Sequence, residues 1–226
     1  MSKITDTLRP LLTPARLARI EEVLSHRTRN LVLLFEQVWN PHNVSACMRS
    51  AEALGLQEIH VIEKDMPFAP KKDVVQGSAK WLDVYRYPDV SAGLSALKSR
   101  GFTIAAGALT EDAVPLEQLD FKQKFALSFG NEHEGLTTEF LEQCDVVFKV
   151  PMLGFTQSFN ISVSAALCIY HAVSQRLRDL GRNGDLTEEE KEALREAWMI
   201  NTVPMAREIL ERAGLGAPDL EGEEDA

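Results

Sequence analysis

Several familiar sequence features are absent from this chain of 226 residues. No stretch approaches the roughly 18 consecutive apolar residues that a membrane-spanning helix needs. The first residues, MSKITDTLRPLL, lack the apolar segment and small-residue cleavage site of a secretory signal. The cysteines Cys47, Cys144 and Cys168 are far apart and form no CxxC pair, which argues against a disulfide framework and against a zinc site. We therefore expect a cytoplasmic protein with no metal site.

Common nucleotide-binding and catalytic motifs are also missing. The chain has no GxGxxG after its first predicted strand, no GxxxxGK[ST] and no GxSxG. These absences argue against a dinucleotide-binding Rossmann domain, a P-loop and a serine nucleophile elbow. Hydrophobic residues nevertheless make up 45 % of the chain, which is enough to form a globular core.

The net charge of −10 is unevenly distributed along the chain. Residues 1–30 carry six basic and three acidic side chains, a net +3, whereas residues 183–226 carry four basic and thirteen acidic side chains, a net −9. The middle, residues 31–182, carries the remaining −4. Because most of the acidity lies in the tail, the basic segment 1–30 keeps an anionic partner possible.

Apolar runs of strand length alternate with helical patterns through the middle of the chain. The predicted strands are 31–36, 58–63, 81–87, 102–109, 124–130 and 146–151. The predicted helices are 14–26, 43–54, 89–100, 137–144, 160–180, one that begins after Thr187, and 204–213. Before Pro14 we expect only a short turn, because Pro10 and Pro14 interrupt the pattern.

This alternation predicts an α/β domain over residues 31–182, with a mostly parallel sheet and helices on both faces. A basic helical arm, residues 1–30, precedes the domain. Helices and an acidic tail, residues 183–226, follow it, and the final EGEEDA is expected to be disordered.

Three loops at the predicted carboxyl ends of strands contain polar residues, and ligands bind at such ends in parallel sheets. The loops are 40–51, 128–136 and 150–164. Each also has a purely structural interpretation: a capped helix with a solvated arginine, a polar turn with glycines, and a buried apolar connector. Asn43 is expected to cap the helix after the first strand, and Asn160 the long helix after the last.

Taken together, the segments NPHNVSACMRSAEALG, FALSFGNEHEGL and VPMLGFTQSFNISVSAAL resemble motifs 1, 2 and 3 of the SpoU/TrmH branch of the SPOUT RNA methyltransferases. Their order, spacing and strand–loop–helix context agree with that family over about residues 31–180. The segment KDVVQGSAKWLDV resembles the family's Gly-Ser-x-x-Trp segment, but Ala79 stands where close relatives often have a polar residue. The resemblance implies a C-terminal deep trefoil knot, S-adenosylmethionine bound in the knot, and a homodimer formed through it.

The resemblance also implies roles for single residues. The implied catalytic residues are Arg49, Asn43, Glu132 and Asn160. The residues implied to surround the cofactor are Gly107, Leu109, Gly130, Val150, Ser158 and Phe159. Arg49 matches the arginine held to act at the ribose 2′-hydroxyl. Since an arginine is a poor base, with a pKa above about 12, Arg49 acts either as a perturbed base or as a clamp on a phosphate, and the sequence leaves both roles open.

The segments on either side of the motifs indicate the substrate. LTPARLARIEEVLSHRTRNL and the C-terminal helices look like the layout of the TrmH type, which implies 2′-O-methylation of guanosine 18 in the tRNA D-loop. The alternatives are another tRNA position (32 or 34), ribosomal RNA, and a non-catalytic RNA-binding module. Because the middle of the chain is slightly acidic, we expect the arginines of the arm to contact tRNA phosphates. These arginines are Arg9, Arg16, Arg19, Arg27 and Arg29.

Overall fold

The computed structural model describes residues 2–38, 40–63 and 77–216. The chain divides into two compact units, one of residues 28–183 and one that combines residues 1–27 with 184–226. Within the described ranges, no helix is long and apolar enough to cross a membrane. The first five residues of KDVVQGSAKWLDV and the final EGEEDA lie outside the described residues.

The larger unit is built on a seven-stranded sheet in which all the strand pairs run parallel. The strands are β1 Leu31–Glu36, β2 Glu58–Ile62, β3 Asp83–Tyr87, β4 Thr103–Gly107, β5 Val114–Pro115, β6 Phe125–Phe129 and β7 Val146–Lys149, in the spatial order β3-β2-β1-β6-β4-β7-β5. The structure confirms each predicted strand to within two residues. The sequence missed β5, because two residues are too few to show a periodicity.

The helices of the described residues agree with the predicted ones to within two residues, except that the helix at the start of the chain was not predicted. They are α1 Lys3–Leu8, α2 Pro14–His26, α3 Pro41–Ala53, α4 Val90–Ser99, α5 Thr138–Gln143, α6 Ile161–Leu180, α7 Glu188–Ile200 and α8 Ala206–Arg212. The prediction of only a short turn before Pro14 is wrong, because α1 occupies that segment. Ser2 caps α1, and the Thr5 hydroxyl donates to Glu192 of α7 at 2.9 Å. A contact across so much of the chain leaves no local sequence pattern.

Helices cover both faces of the sheet, as predicted. Leu33 and Phe35 of β1 belong to a buried cluster that includes side chains of α3 and α6. Val32 and Leu34, which point to the opposite face, belong to a second cluster with side chains of α4 and α5. This burial on both sides explains why LVLLFE is apolar almost throughout instead of alternating with polar residues.

The beginning of α3 differs from the prediction in a way that matters for the site. The helix starts at Pro41, and the side chain of Asn40 caps it by accepting a hydrogen bond from the His42 amide at 3.0 Å. Proline suits the first helical position because no intrahelical bond needs its missing N–H. The prediction that Asn43 is the cap is therefore wrong, and its side-chain amide is available for other contacts. Gly55, with φ of +85°, follows the end of the helix as predicted.

Two arginines of the predicted phosphate-contacting arm are engaged inside the protein. Arg27 is fully buried in the smaller unit, where its guanidinium lies 5.2 Å from the ring centroid of Trp198. Arg29 belongs to the larger unit and pairs with Asp83 at 2.6 Å and with Glu58. The expectation that Arg27 contacts a tRNA phosphate is therefore wrong, whereas the same expectation for Arg29, whose side chain is 20 % exposed, stays a prediction.

The amino ends of β2 and β3 carry a cluster of charged side chains centred on the buried Glu58. Arg100 donates to both of its carboxylate oxygens at 2.7 and 2.9 Å, Arg29 also pairs with it, and the ring of His60 lies 3.1 Å away. Burial alone would raise the pKa of Glu58, but hydrogen bonds from His60 and Arg100 and the charges of both arginines lower it to about 2. Glu58 is therefore ionised in the folded protein at neutral pH.

Glu58 should make the stability of the protein depend on pH in the acid range. Its pKa is about 2 in the folded state against an ordinary value of 4.5, so its contribution is complete above pH 4.5 and is lost as the pH falls towards 2. We expect Glu58→Gln to lower the free energy of unfolding at pH 7 by about 3 kcal/mol and to weaken the decline between pH 4.5 and 2. Urea unfolding at a series of pH values measures both effects.

The matched control is Glu188→Gln, which removes a carboxylate that is 83 % exposed and pairs with Lys191 on the surface. We expect this variant to follow the wild-type pH dependence. Parallel pH profiles for wild type and Glu58→Gln would contradict the assignment.

Candidate functional site

The carboxyl ends of β1, β6, β4 and β7 are neighbours at one edge of the sheet. The three polar loops singled out in the sequence leave the sheet at this edge, because one follows β1, one follows β6 and one follows β7. In a parallel sheet such an edge is where ligands bind. The topology therefore gathers residues that are distant in sequence into one region.

Hydrogen bonds connect three of the predicted catalytic residues, one from each loop. The Nδ2 of Asn43 donates to Oε1 of Glu132 at 2.7 Å, and the Nδ2 of Asn160 donates to Oδ1 of Asn43 at 3.0 Å. Asn43 is only 8 % exposed, and protein groups satisfy both the donor and the acceptor of its side-chain amide, as buried polar groups require. We call these three residues and their hydrogen bonds the Asn43 network.

The Asn43 network continues into the first turn of α6. Asn160 is the N-cap of this helix, as predicted, and its Oδ1 accepts hydrogen bonds from the Ser162 amide at 2.9 Å and the Ser162 hydroxyl at 2.6 Å. Capping fixes the orientation of the Asn160 amide, so that its Nδ2 is directed to Asn43. The end of a 20-residue helix thus holds one end of the network.

Glu132 lies in a tight loop that follows β6. The Oδ1 of Asn131 accepts hydrogen bonds from the amides of His133 and Glu134, at 2.9 and 2.8 Å, and Asn131 pairs with Gly135 through both backbone groups. A Cβ on Gly130 would lie 2.0 Å from the carbonyl of Gly135, so that no other residue fits there without a shift of the loop. These contacts hold the exposed Glu132 in place.

The fourth predicted catalytic residue, Arg49, is not part of the Asn43 network. It lies on α3, six residues after Asn43, or roughly 9 Å along the helix axis. Its side chain is exposed and forms no hydrogen bond or ion pair with any residue in the described part of the chain. The guanidinium is therefore accessible to an anion from solution.

A cleft opens between the segments that follow β4 and β7, and its wall residue Phe159 directly precedes Asn160 in the chain. The empty space between its walls is about 470 Å³, a volume that includes open solvent. Its walls contain five of the six residues predicted to surround a cofactor, namely Gly107, Leu109, Val150, Ser158 and Phe159. Gly130, the sixth, does not line the cleft, since its place is against Gly135.

The cleft also has wall residues that are not among the predicted cofactor contacts. Phe129 and Phe148 come from β6 and β7, Met152 from the following loop, and Cys168 from α6. The two phenylalanines could have been found from the strand ends on which they lie. Cys168 could not, because it reads as one of many apolar residues on a core-facing helix.

The cysteines near the site are held as neutral thiols. Burial raises the pKa of Cys168 to about 12, and the charge of Glu117 adds to the effect. Burial together with the charge of Glu132 raises the pKa of Cys47 to about 12. Neither thiol ionises at neutral pH. Among the residues that the structure describes, no group of three His, Cys, Asp or Glu side chains is arranged to hold a metal ion.

Known proteins are similar to this chain in sequence and in fold. The tRNA (guanosine(18)-2'-O)-methyltransferase of Borreliella burgdorferi is 39 % identical over 193 residues, which are 85 % of this chain and 88 % of that protein. The crystal structure of the A. aeolicus TrmH/SpoU tRNA modifying enzyme has a TM-score of 0.77 and 31 % identity, and covers 84 % of this chain and 98 % of its own.

A further similar structure contains a cofactor. The SpoU methyltransferase AviRb from Streptomyces viridochromogenes, in complex with the cofactor AdoMet, has a TM-score of 0.59 and 26 % identity, and covers 70 % of this chain and 64 % of its own. Residues 30–170 match the SpoU rRNA Methylase family. The chain therefore belongs to the SpoU rRNA methylase family.

Proposed function

We propose that this protein transfers a methyl group from S-adenosylmethionine to the ribose 2′-hydroxyl of guanosine 18 in the D-loop of tRNA. The observation that carries the proposal is the Asn43 network, which joins the three family motifs by hydrogen bonds. The choice of nucleotide is supported by the Borreliella burgdorferi relative, which is named for that position and matches 85 % of this chain.

The cleft has the chemistry that S-adenosylmethionine requires. Phe129, Phe148, Val150 and Met152 give it largely apolar walls, suited to an adenine ring and a thioether. Gln157 and Ser158 add polar groups at its rim, where an adenine or a ribose needs hydrogen bonds. When bound, the cofactor supplies an electrophilic methyl group on a sulfonium centre. These side chains, with Gly107, Leu109 and Phe159, would hold it.

The remaining site residues position the nucleotide. Methyl transfer to a hydroxyl depends on holding the two reactants in line and close together, so precise placement supplies much of the rate. The Asn43 network fixes the first turn of α6 and the loop of Glu132 relative to α3. Arg49, exposed and without a partner in the described residues, binds a phosphate next to the reactive ribose, where its planar guanidinium can make two parallel hydrogen bonds.

We also propose that the protein is a knotted homodimer that works in the cytoplasm, where a tRNA substrate is available. Support for the dimer comes from exposed apolar side chains that recur along α6 at helical spacing. They are Val163, Leu167, Tyr170, Leu177 and Leu180. Covering this face with a second copy would remove apolar surface from water. Support for the knot comes from the resemblance of the three motifs to the SPOUT methyltransferases.

The direct test of the proposed function is to map the methylated nucleotide. We expect the purified protein with S-adenosylmethionine to add one 2′-O-methyl group to an unmodified tRNA transcript, at guanosine 18. Nuclease digestion and mass spectrometry locate the group, and a transcript with 2′-deoxyguanosine at that position should not be methylated. Methylation at position 32 or 34, or of ribosomal RNA only, would contradict the substrate assignment. Binding of tRNA without methyl transfer would contradict the enzymatic one.

Arg49 should be needed for the reaction but not for cofactor binding. It is not among the residues that line the cleft, so Arg49→Ala should leave the dissociation constant of S-adenosylmethionine unchanged in calorimetry. Its kcat should fall by about a hundred-fold or more, because a misplaced ribose loses most of the benefit of positioning.

Arg49→Lys separates charge from geometry in this assignment. A lysine keeps the positive charge but not the bidentate arrangement, so we expect kcat to recover only in part. The control is Arg207→Lys on α8, in the smaller unit. It should leave kcat and the dissociation constant of S-adenosylmethionine unchanged. Turnover close to wild type in Arg49→Ala at saturating tRNA would show that Arg49 does not have this role.

A further inference from the structure

Glu36, the last residue of β1, has a buried carboxylate that the reaction described above does not use. Its side chain is 1 % exposed, and both oxygens are bound by one residue, Thr137. The Thr137 amide donates to Oε2 at 2.8 Å, and the Thr137 hydroxyl donates to Oε1 at 2.6 Å. A buried carboxylate is costly unless it is hydrogen-bonded, so these two bonds are what keeps Glu36 acceptable at this position.

Thr137 is the point at which the Glu132 loop ends and α5 begins. Its hydroxyl oxygen also accepts a hydrogen bond from the Phe140 amide at 3.2 Å, which makes it the N-cap of α5. Phe140 is fully buried in the core, so this end of the loop is connected to a fixed element. The other end of the loop continues from β6. Glu36 therefore holds the loop of Glu132 at its exit, as Gly130 allows it to close at its entry.

The residue after Glu36 has an unusual backbone conformation. Gln37 has φ of +51°, in the left-handed region that residues other than glycine rarely adopt, and its amide donates to the carbonyl of Ile62 at 3.1 Å. Such conformations persist where the surrounding structure imposes them, and they cluster at functional sites. Glu36 precedes the segment that carries Asn43, and its side chain bonds to Thr137 at the end of the loop that carries Glu132.

We propose that Glu36 is a positioning residue. Its hydrogen bonds from Thr137 keep Glu132 in place to accept the hydrogen bond that the Asn43 side chain donates. This inference rests on the proposed methyl transfer, because it assigns Glu36 a part in the same site. Glu36 acts through Thr137 and the loop. Loss of its hydrogen bonds should release the loop, disturb the Asn43 network and lower turnover, while the cleft, whose lining does not include Glu36 or Thr137, stays as it is.

Three variants test the connection. Glu36→Gln keeps the shape of the side chain but presents an amide N–H to one of the two Thr137 donors, so that at least one hydrogen bond is lost. Thr137→Val removes the hydroxyl, and with it one of the two hydrogen bonds to Glu36 and the cap of α5. Thr137→Ser keeps that hydroxyl and should rescue the function. The matched control is Thr187→Val, which removes the threonine cap of α7 in the smaller unit.

Three measurements are made on the full chain: kcat at saturating tRNA, the dissociation constant of S-adenosylmethionine, and hydrogen exchange of peptides that cover residues 130–137. For Glu36→Gln and Thr137→Val we expect kcat to fall between about ten- and a hundred-fold, with faster exchange confined to that loop and an unchanged dissociation constant. Thr137→Ser should behave as wild type. Thr187→Val should lower the melting temperature without affecting kcat or exchange in the loop.

Unchanged turnover in both Glu36→Gln and Thr137→Val would overturn the proposal, and so would faster exchange spread evenly over the sheet, which would indicate general destabilisation. Failure of the proposed function is distinguishable from this result. A wild-type protein that methylates no tRNA would contradict the function, while hydrogen exchange would still decide whether Glu36 holds the loop.

Discussion

The site depends on one side-chain amide, that of Asn43. Its Nδ2 bonds to a residue 89 positions later in the chain and its Oδ1 to a residue 117 positions later. An asparagine can do this because its amide has a donor and an acceptor at opposite sides of one rigid group. A side chain with only donors or only acceptors could not join Glu132 and Asn160 at once. The Asn43 network therefore ties the three motifs to one another as well as to the sheet.

The amino and carboxyl ends of the strands carry different kinds of polar group. At the amino ends of β2 and β3, Glu58 is surrounded by Arg29, Arg100 and His60, and its lowered pKa shows that the folded state favours its charge. At the carboxyl ends of β1, β6, β4 and β7, polar groups are exposed and one backbone conformation is strained. The charged cluster around Glu58 and the candidate site thus lie at opposite ends of the strands, and ligands of parallel α/β sheets bind at the carboxyl ends.

Local patterns predicted most of the fold. The continuous apolar run of β1 indicated a strand covered on both faces, and Asn160 before a long helical pattern indicated a cap. Errors arose where a distant residue decides the outcome. Arg27 is predicted to be an exposed cation, but its guanidinium packs against Trp198. The helix α1 was missed because it is stabilised by Glu192, which lies near the other end of the chain.

The candidate site was predicted from motifs, and its residues could be placed only with the structure. Asn43 was assigned as a cap, because nothing in the sequence showed that Asn40 and Pro41 would take over that task. Gly130 is predicted to contact the cofactor, and the structure adds a second reason for a glycine there, the close approach of Gly135. Nothing in the sequence marks Glu36, because its partner Thr137 is 101 residues away in the chain.

The most direct test of the account is a double-mutant cycle between Asn43→Ala and Glu132→Ala, read out as the single-turnover rate of methyl transfer at saturating tRNA and S-adenosylmethionine. If Asn43 and Glu132 act as one unit, the loss in the double variant will be close to that in the more severe single variant, since each change already breaks the same connection. If the two losses instead multiply, the residues act independently, and the Asn43 network does not organise the site.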